Sequence, residues 1–165
     1  MPRRLAQGIA AVMHIICHTE TEMLALGQRL GAGAFAGLAI GLSGDLGAGK
    51  TVLARGLARG LGIEGRIPSP TYVVIQTLEG GRLPLWHGDL YRLSGEDDLE
   101  QLGIDDLFEA GGVVVLEWAE RFPNALPADA LHIHLDQVDS ATDARRVTLT
   151  ASGPTHEALL VHLAG

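Results

Sequence analysis

The sequence predicts an α/β fold of three layers, in which a central parallel sheet is flanked by antiparallel strands and covered by helices. Three observations favour this fold class. A short apolar strand, a glycine-rich loop and a helix follow one another between residues 38 and 61. The unbroken apolar run VVVLE at residues 113–117 is typical of a strand that is buried on both faces. Strand-like segments then dominate the last third of the chain, where antiparallel additions to the sheet are expected.

The early elements follow from periodicity and capping signals. MHIIC, ending at Cys17, is expected to be the first strand. Thr19 and Glu22 form a T-x-x-E capping box that opens a helix, and Gly31 is expected to end this helix. LAIGL predicts the second strand. Leucines then recur every four residues as far as position 61, which predicts a second helix closed by Gly62.

The later elements are mostly strands. TYVVIQTL and LPLWHGDLYRL, joined by EGGR, predict a β-hairpin. Ser94 is expected to cap a short helix that runs to Leu102, in an S-x-x-D variant of the capping box. VVVLEW predicts the central parallel strand. Two further strands and a terminal helix are expected at LHIHLD, RRVTLTA and THEALLVHL.

Composition limits the class of protein. The 165 residues suffice for one domain, which we assign to residues 13–165, with residues 1–12 as an N-terminal extension or a stretch upstream of a native start at Met13. The net charge of −8 argues against unaided binding to nucleic acid, which depends on clustered Lys and Arg. The single cysteine, Cys17, is expected to be a buried thiol in a reducing cytoplasm. The apolar stretches are shorter than the ~18 residues that a membrane-spanning helix needs, so the protein is expected to be cytoplasmic and free of membranes.

The glycine-rich loop has a specific chemistry. Residues 44–51 read G-D-L-G-A-G-K-T, a full match to the phosphate-binding pattern G-x-x-x-x-G-K-[ST], between a strand and a helix as the pattern requires. Glycines let the backbone approach a phosphate closely, successive N–H groups cradle it, and the chain's only lysine supplies a positive charge. The predicted nucleotide-binding residues here are Gly44, Asp45, Leu46, Gly47, Ala48, Gly49, Lys50, Thr51 and Val52. The sequence therefore predicts a P-loop NTPase-like fold.

ATP is the expected nucleotide. Regulatory GTPases read guanine with an N-K-x-D motif, which needs a lysine besides the one in the loop, and the chain has none. Mg²⁺ is the expected metal, bound by the hydroxyl of Thr51 and by a carboxylate. Two acids are candidates for that carboxylate and for catalysis beside Lys50. Asp89 lies in HGDLYR, where His87, Asp89 and Tyr91 are expected to face one side of a strand, and Glu117 ends the central strand.

Several other residues allow two interpretations of their role. Thr71, in the SPT turn, is a candidate sensor of the γ-phosphate or part of an ordinary turn. Trp118 is expected either to stack on the ligand or to pack in the core. His132 and His134 alternate like a metal pair, but an exposed strand face is the preferred interpretation, since no third ligand has a suitable spacing. Arg145 and Arg146 are expected to be solvated.

Four motifs, in this order and spacing, resemble one family. GDLGAGKT, SPTY, HGDLYRL and LEWAER look like those of TsaE (formerly YjeE), and the resemblance runs from about Thr19 to Leu149. It implies a small bacterial ATPase that joins the partners TsaB and TsaD in threonylcarbamoyladenosine modification of tRNA and meets tRNA only through that complex. By position it assigns the switch-like threonine to Thr71, the magnesium-linked acid to Asp89 and the catalytic-type glutamate to Glu117, followed by Trp118. At Val52 the family commonly has a second threonine.

Two other functions stay open at this point. Many short P-loop proteins are small-molecule kinases, although these usually carry an arginine-rich lid and no such cluster follows here. A non-hydrolysing switch, in which ATP only changes the affinity for a partner, would use the same loop. Weak hydrolysis by the isolated chain, stimulated in the complex, is the expected activity.

Overall fold

A computed structural model describes residues 11–45, 47, 49–65 and 74–165. The strands are β1 (Ala11–Cys17), β2 (Ala39–Gly44), β3 (Ile75–Leu78), β4 (Leu85–Asp89), β5 (Val113–Glu117), β6 (Leu131–Gln137) and β7 (Arg145–Ala151). The helices are α1 (Glu20–Ala32), α2 (Lys50–Gly60), α3 (Glu96–Gln101), α4 (Ile104–Phe108) and α5 (Pro154–Ala164), with one 3-10 turn at Ala119–Arg121. None of the described helices is both long and apolar enough to cross a membrane.

All seven described strands form one sheet, in the order β1-β7-β6-β2-β5-β4-β3. The four central strands β6, β2, β5 and β4 run parallel to one another. The pairs β1–β7, β7–β6 and β3–β4 are antiparallel. The predicted fold class is confirmed, including the β3–β4 hairpin and the flanking antiparallel strands.

The sheet is covered on both faces, as a three-layer fold requires. Helices α1, α2 and α5 pack on one face, where alternate residues of β2, β6 and β7 join their leucines in one core. Beneath the other face a smaller core forms around Val114 and Leu116 of β5, with α3, α4 and the 3-10 turn. Because β5 contributes to both cores, all five of its residues are buried, and this explains its unbroken apolar sequence.

Helices α1 and α2 touch backbone to backbone through glycines. A Cβ atom added to Gly27 or Gly31 of α1 would lie 2.3 Å from the carbonyl oxygen of Leu53 or 2.2 Å from that of Leu57. On α2, Gly56 and Gly60 leave equally little room against α1. Side chains at these positions would force the helices apart, so each helix carries a glycine every fourth residue on the contact face. The contact fixes the position of α2, which begins with Lys50.

Three local expectations differ from the structure. Gly31 lies inside α1, which ends one residue later with Gly33 as its C-cap. Gly95, not Ser94, caps α3, and the Ser94 N–H donates to the carboxylate of Asp98 instead. Helix α4, at residues 104–108, was not expected because it is only five residues long. The capping box at Thr19 and the buried thiol of Cys17 are confirmed.

The domain boundary expected at Met13 stays a prediction. Strand β1 begins at Ala11, so residues 11 and 12 belong to the sheet, and residues 1–10 lie outside the described residues. Leu46, Ala48 and the SPT turn with Thr71 also lie outside them.

Candidate functional site

The carboxyl ends of three parallel strands meet beside the glycine-rich loop. Leu42 of β2 pairs with Glu117 of β5, and Glu117 pairs with Asp89 of β4. The loop leaves the sheet two residues after Leu42, at Gly44. The register therefore brings both predicted acids to the rim where the loop begins, which is the usual ligand-binding edge of such sheets.

The described part of the loop bends through conformations that favour glycine. Gly47 has φ +84° and Gly49 has φ +101°, and Gly49 is the N-cap of α2. A side chain at either position would be strained whatever the space around it. Helix α2 therefore starts abruptly at Lys50, and the N–H groups of its first turn lack partners within the helix. Such a helix start carries partial positive charge and binds anions.

Lys50 is buried at the base of the loop, with only 6% of the residue exposed. Its Nζ donates to the carbonyl oxygen of Gly44 at 2.8 Å and lies 4.3 Å from the centroid of the Trp118 ring. Among the described residues its contacts are thus a carbonyl group and an aromatic face, without a carboxylate. A buried ammonium without an anionic partner is costly. An anion bound in the loop would supply that partner.

Glu117 is held by a histidine. The Nε2 atom of His87 lies 2.7 Å from Oε2 of Glu117, and both residues are buried. Asp89 is half-buried, and its Oδ1 accepts a hydrogen bond from the backbone of Tyr91 at 2.9 Å. His87 and Asp89 share one face of β4, as predicted. Tyr91 lies beyond the end of β4 and is 57% exposed, so the expectation that it shares their strand face is wrong.

A row of side-chain contacts runs from the buried Lys50 through two aromatic rings to the exposed Arg121. Trp118 has φ +62°, an unusual value for a residue with a side chain, and directs its ring onto Lys50. The Tyr91 ring packs against Trp118 with the centroids 5.0 Å apart. The guanidinium of Arg121 lies 5.6 Å from the Tyr91 ring centroid and donates to the Tyr91 carbonyl. Trp118 is half-buried: it packs against the smaller core and also contacts Lys50 and Tyr91 at the site.

Arg145 was expected to be solvated and is instead half-buried beside the loop. Its guanidinium donates to the Gly47 carbonyl at 3.4 Å. It lines a pocket of about 290 Å³ that the start of α1, the loop and the start of α2 also border, with Met23 and Val52 on its wall. Residue 145 is almost a hundred positions from the loop in the chain, and only the sheet order brings it there. No local sequence signal could have indicated this contact.

The structure brings the described part of the predicted site together. Lys50, Thr51, Asp89, Glu117 and Trp118 lie on the elements that surround the loop, and Thr51 is half-buried in the first turn of α2. The exposed strand face was the correct interpretation of the histidine pair: residues 132 and 134 point away from the core on β6, and no described cluster of three or more His, Cys, Asp or Glu could hold a metal.

Comparisons with known proteins match most of the chain. The family model described as "Threonylcarbamoyl adenosine biosynthesis protein TsaE" matches residues 17–147. A Bacillus subtilis protein named tRNA threonylcarbamoyladenosine biosynthesis protein TsaE is 40% identical over 142 residues, which cover 86% of this chain and 87% of that protein. Its namesake from Streptomyces coelicolor is 43% identical over 136 residues, covering 79% and 91%. The crystal structure of YdiB from Bacillus subtilis superposes with a TM-score of 0.82 at 34% identity, covering 94% of this chain and 96% of that one.

Proposed function

The chain belongs to the TsaE family of threonylcarbamoyl adenosine biosynthesis proteins, and on that premise we propose that it binds and hydrolyses ATP with Mg²⁺ as an accessory subunit of the tRNA-modifying complex. The proposed partners are TsaB and TsaD, with tRNA met only through them. The observation that carries the proposal is the buried Lys50 ammonium, which no described carboxylate neutralises, at the base of a glycine loop that opens a helix.

The loop fits the phosphates of a nucleotide. The left-handed Gly47 and Gly49 keep the path of the backbone free of side chains, and no atom lies within 4 Å of a Cβ built on Gly47. The first-turn N–H groups of α2 and the Lys50 ammonium together offer donors and positive charge to the β- and γ-phosphates. The pocket next to Met23, Val52 and Arg145 adjoins the loop, and we assign the nucleoside to it.

The residues at the rim also fit a magnesium ion. The Thr51 hydroxyl and the Asp89 carboxylate are oxygen ligands of the kind that Mg²⁺ takes, with substrate phosphates completing its shell. Bound Mg²⁺ would neutralise charge that develops on the phosphates during transfer. Asp89 is preferred over Glu117 as the ligand because the Glu117 carboxylate already accepts a hydrogen bond from His87.

Glu117 is then the group that handles water. Its carboxylate lies at the end of β5, next to Asp89 in the strand register, and accepts hydrogen bonds as an ionised acid does. A water molecule between Glu117 and the γ-phosphate would be oriented by this acceptor, which can also take its proton. Lys50 would hold the γ-phosphate in place for that water. General-base assistance of this kind contributes about 10²–10⁴-fold to a rate.

The decisive experiment is ATP hydrolysis by the isolated chain and by the chain mixed with TsaB, TsaD and tRNA. We expect slow turnover alone and stimulation in the mixture. Glu117→Gln should keep ATP binding and lose about 100-fold or more of the turnover. Glu120→Gln, which removes an exposed acid three residues away, is the matched control and should hydrolyse normally.

The same experiment separates the competing functions. A non-hydrolysing switch keeps its partner response in Glu117→Gln, whereas an ATPase role loses it. A kinase releases ADP in response to a metabolite without TsaD. Fast turnover by the isolated chain, unchanged by the partners, would contradict the proposal.

A further inference from the structure

Three neighbouring strands place a buried polar chain beneath the proposed site. His87 of β4 is 2% exposed, and its Nε2 contacts Glu117 of β5 at 2.7 Å. On the other side of β4, Gln76 of β3 pairs directly with His87 in the antiparallel register. Side chains of directly paired residues leave the same face of a sheet with Cβ atoms about 4.5–5.5 Å apart. Gln76, His87 and Glu117 therefore follow one another across the sheet.

Two atoms of this chain lack partners among the described residues. They are the Nδ1 atom of His87 and the Oε1 atom of Gln76, and both are buried. A carboxylate oxygen accepts, so Nε2 of His87 carries the proton in its contact with Glu117. In the neutral ring Nδ1 is then an acceptor. The amide nitrogen of Gln76 is not among the buried unpaired atoms. Rotation of this amide by half a turn exchanges its oxygen and nitrogen, so that a donor takes the buried position of the unpaired oxygen.

We infer that His87 is a positioning residue for Glu117, and that Gln76 positions His87 by donating its amide N–H to Nδ1. The Gln76 amide fixes the ring with its proton on Nε2, and that proton fixes the Glu117 carboxylate at the rim. A histidine held by one neighbour so that it can orient another group is a recurrent device at functional sites. The inference rests on the proposed role of Glu117 and adds two residues for which no role has been assigned.

The burial of the pair supports this role. Only 6% of Glu117 is exposed, and His87 is the described residue that hydrogen-bonds its carboxylate. Without that bond, the carboxylate would be free to rotate about its side-chain torsions or to turn towards the bound metal. The second carboxylate oxygen makes no hydrogen bond to a described residue and is the one that can face substrate water. His87 thus fixes the orientation of the Glu117 carboxylate.

The first test reads the ring directly and does not depend on ATP hydrolysis. Long-range ¹H–¹⁵N correlation spectra of the native chain, with His87 assigned by comparison with His87→Gln, report which ring nitrogen carries the proton. We expect the proton on Nε2, and a shift of the Nδ1 resonance in Gln76→Leu but not in Thr77→Val, its exposed neighbour on β3. A proton on Nδ1, with or without one on Nε2, would overturn the inference, and so would an Nδ1 resonance that does not shift in Gln76→Leu.

The second test uses two amides of different length. The amide of Gln reaches the position of Nε2, whereas the amide of Asn reaches only that of Nδ1. In the complex, His87→Asn should lower kcat about 10–100-fold with KM for ATP unchanged, and His87→Gln should stay within about threefold of native kcat. Equal activities of the two variants, or a change confined to KM, would contradict positioning. Thermal unfolding of both variants checks that they fold.

The two tests also separate this inference from the proposed function. If the native chain hydrolyses no ATP with its partners, the proposed function fails while the spectra still decide the hydrogen-bond chain. If the native chain hydrolyses ATP and His87→Asn does so equally well, the proposed function stands and the positioning role fails.

Discussion

Lys50 carries a charge that the described fold leaves without a counter-ion. The residue is buried, yet its ammonium contacts a backbone carbonyl and the Trp118 ring instead of an acid. Such contacts cost less than complete desolvation but do not replace an anion. The Trp118 ring and the Gly44 carbonyl therefore hold the ammonium at a position where it can bind phosphates instead. The burial of Lys50 without an acidic partner therefore supports an anionic ligand.

Trp118 should report nucleotide binding, because the Lys50 ammonium that lies over its ring would turn towards the phosphates. In a Trp86→Phe background, which leaves Trp118 as the one tryptophan, we expect Mg²⁺–ATP to change the fluorescence intensity or wavelength. Adding Lys50→Ala should weaken ATP binding about 10–100-fold, as loss of a charge-assisted contact of about 1.5–3 kcal/mol implies. A spectrum that stays constant while another method shows ATP bound would contradict the assigned contact.

Residues also show how far a sequence can predict a site. The loop was predictable because its donors, glycines and lysine are contiguous. Glu117 was a candidate because it ends an apolar strand, and Asp89 because it alternates with His87 on a strand. The His87–Glu117 hydrogen bond joins residues thirty positions apart and depends on strand register, which the sequence does not display. Arg145 reaches the loop only because β7 returns next to β6 in the sheet.

Helix α5 is docked on the sheet through a neutral histidine. His156 is buried, and its Nε2 accepts the backbone N–H of Ala39 at 3.2 Å, at the start of the strand that leads to the loop. The Phe35 ring packs edge-on against it. Burial lowers the pKa of His156 below its ordinary value of 6.5, and the charge of Asp129 opposes this only in part. The neutral form is the one that can accept the Ala39 hydrogen bond.

Acid should therefore weaken the fold at this element. Above about pH 6.5 the ring is neutral in both states. As the pH falls below that value, the unfolded chain binds a proton that the folded chain resists, so the free energy of unfolding decreases. We expect urea unfolding of His156→Gln, which keeps an acceptor, to lose less stability between pH 7 and 5 than the native chain. His162→Gln, on the exposed side of α5, is the control and should follow the native pH dependence.

The contact between α1 and α2 fixes the position of α2 and therefore of the loop that precedes it. Gly27 and Gly31 meet Gly56 and Gly60 with carbonyl oxygens where side chains would be. The sequence shows the four-residue spacing of Gly27 and Gly31 and that of Gly56 and Gly60. Taken by itself, however, Gly31 predicts the end of a helix. The spacing becomes informative only when two helices are known to pack together.

A methyl group at this crossing should be destabilising, although alanine favours helices over glycine. In Gly56→Ala the new Cβ would lie 2.3 Å from the Leu24 carbonyl oxygen, which is backbone and cannot move aside alone. Overpacking of this kind costs about 1–3 kcal/mol. Replacing glycine by alanine in a helix gains only ~1 kcal/mol, so the net effect is destabilising over most of that range. Thermal denaturation should show a lower Tm for Gly56→Ala. The control Gly165→Ala, at an exposed position where a Cβ would make only ordinary contacts, should change Tm little. A Tm of Gly56→Ala equal to the native value would contradict the close contact.

The whole molecule is acidic, and this separates it from proteins that hold tRNA directly. Its net charge is −8, and seven acids without a basic residue occupy positions 96–109, in the region of α3 and α4. Binding to a phosphate backbone depends on clustered cations, so this charge disfavours direct binding of tRNA by the chain alone. Membership of the TsaE family places the chain in threonylcarbamoyl adenosine biosynthesis, and the proposed partners TsaB and TsaD would bring it to tRNA.

Gel-shift titrations should show this dependence. The isolated chain is expected to bind tRNA more weakly than about 10⁻⁴ M at physiological salt, the weak limit of ordinary non-specific binding. Addition of TsaB and TsaD should bring the chain into a tRNA-containing complex. Micromolar binding of tRNA by the chain alone would show that it contacts the nucleic acid itself.

Titration calorimetry of the purified chain with ATP and with ADP, magnesium present, tests the central claim most directly. The glycine loop and Lys50 should give a saturable binding heat with both nucleotides, weakened about 10–100-fold for Lys50→Ala. Arg59→Ala, which removes an exposed cation at the far end of α2, should bind as the native chain does. No binding heat with either nucleotide, or equal binding by Lys50→Ala, would contradict the account.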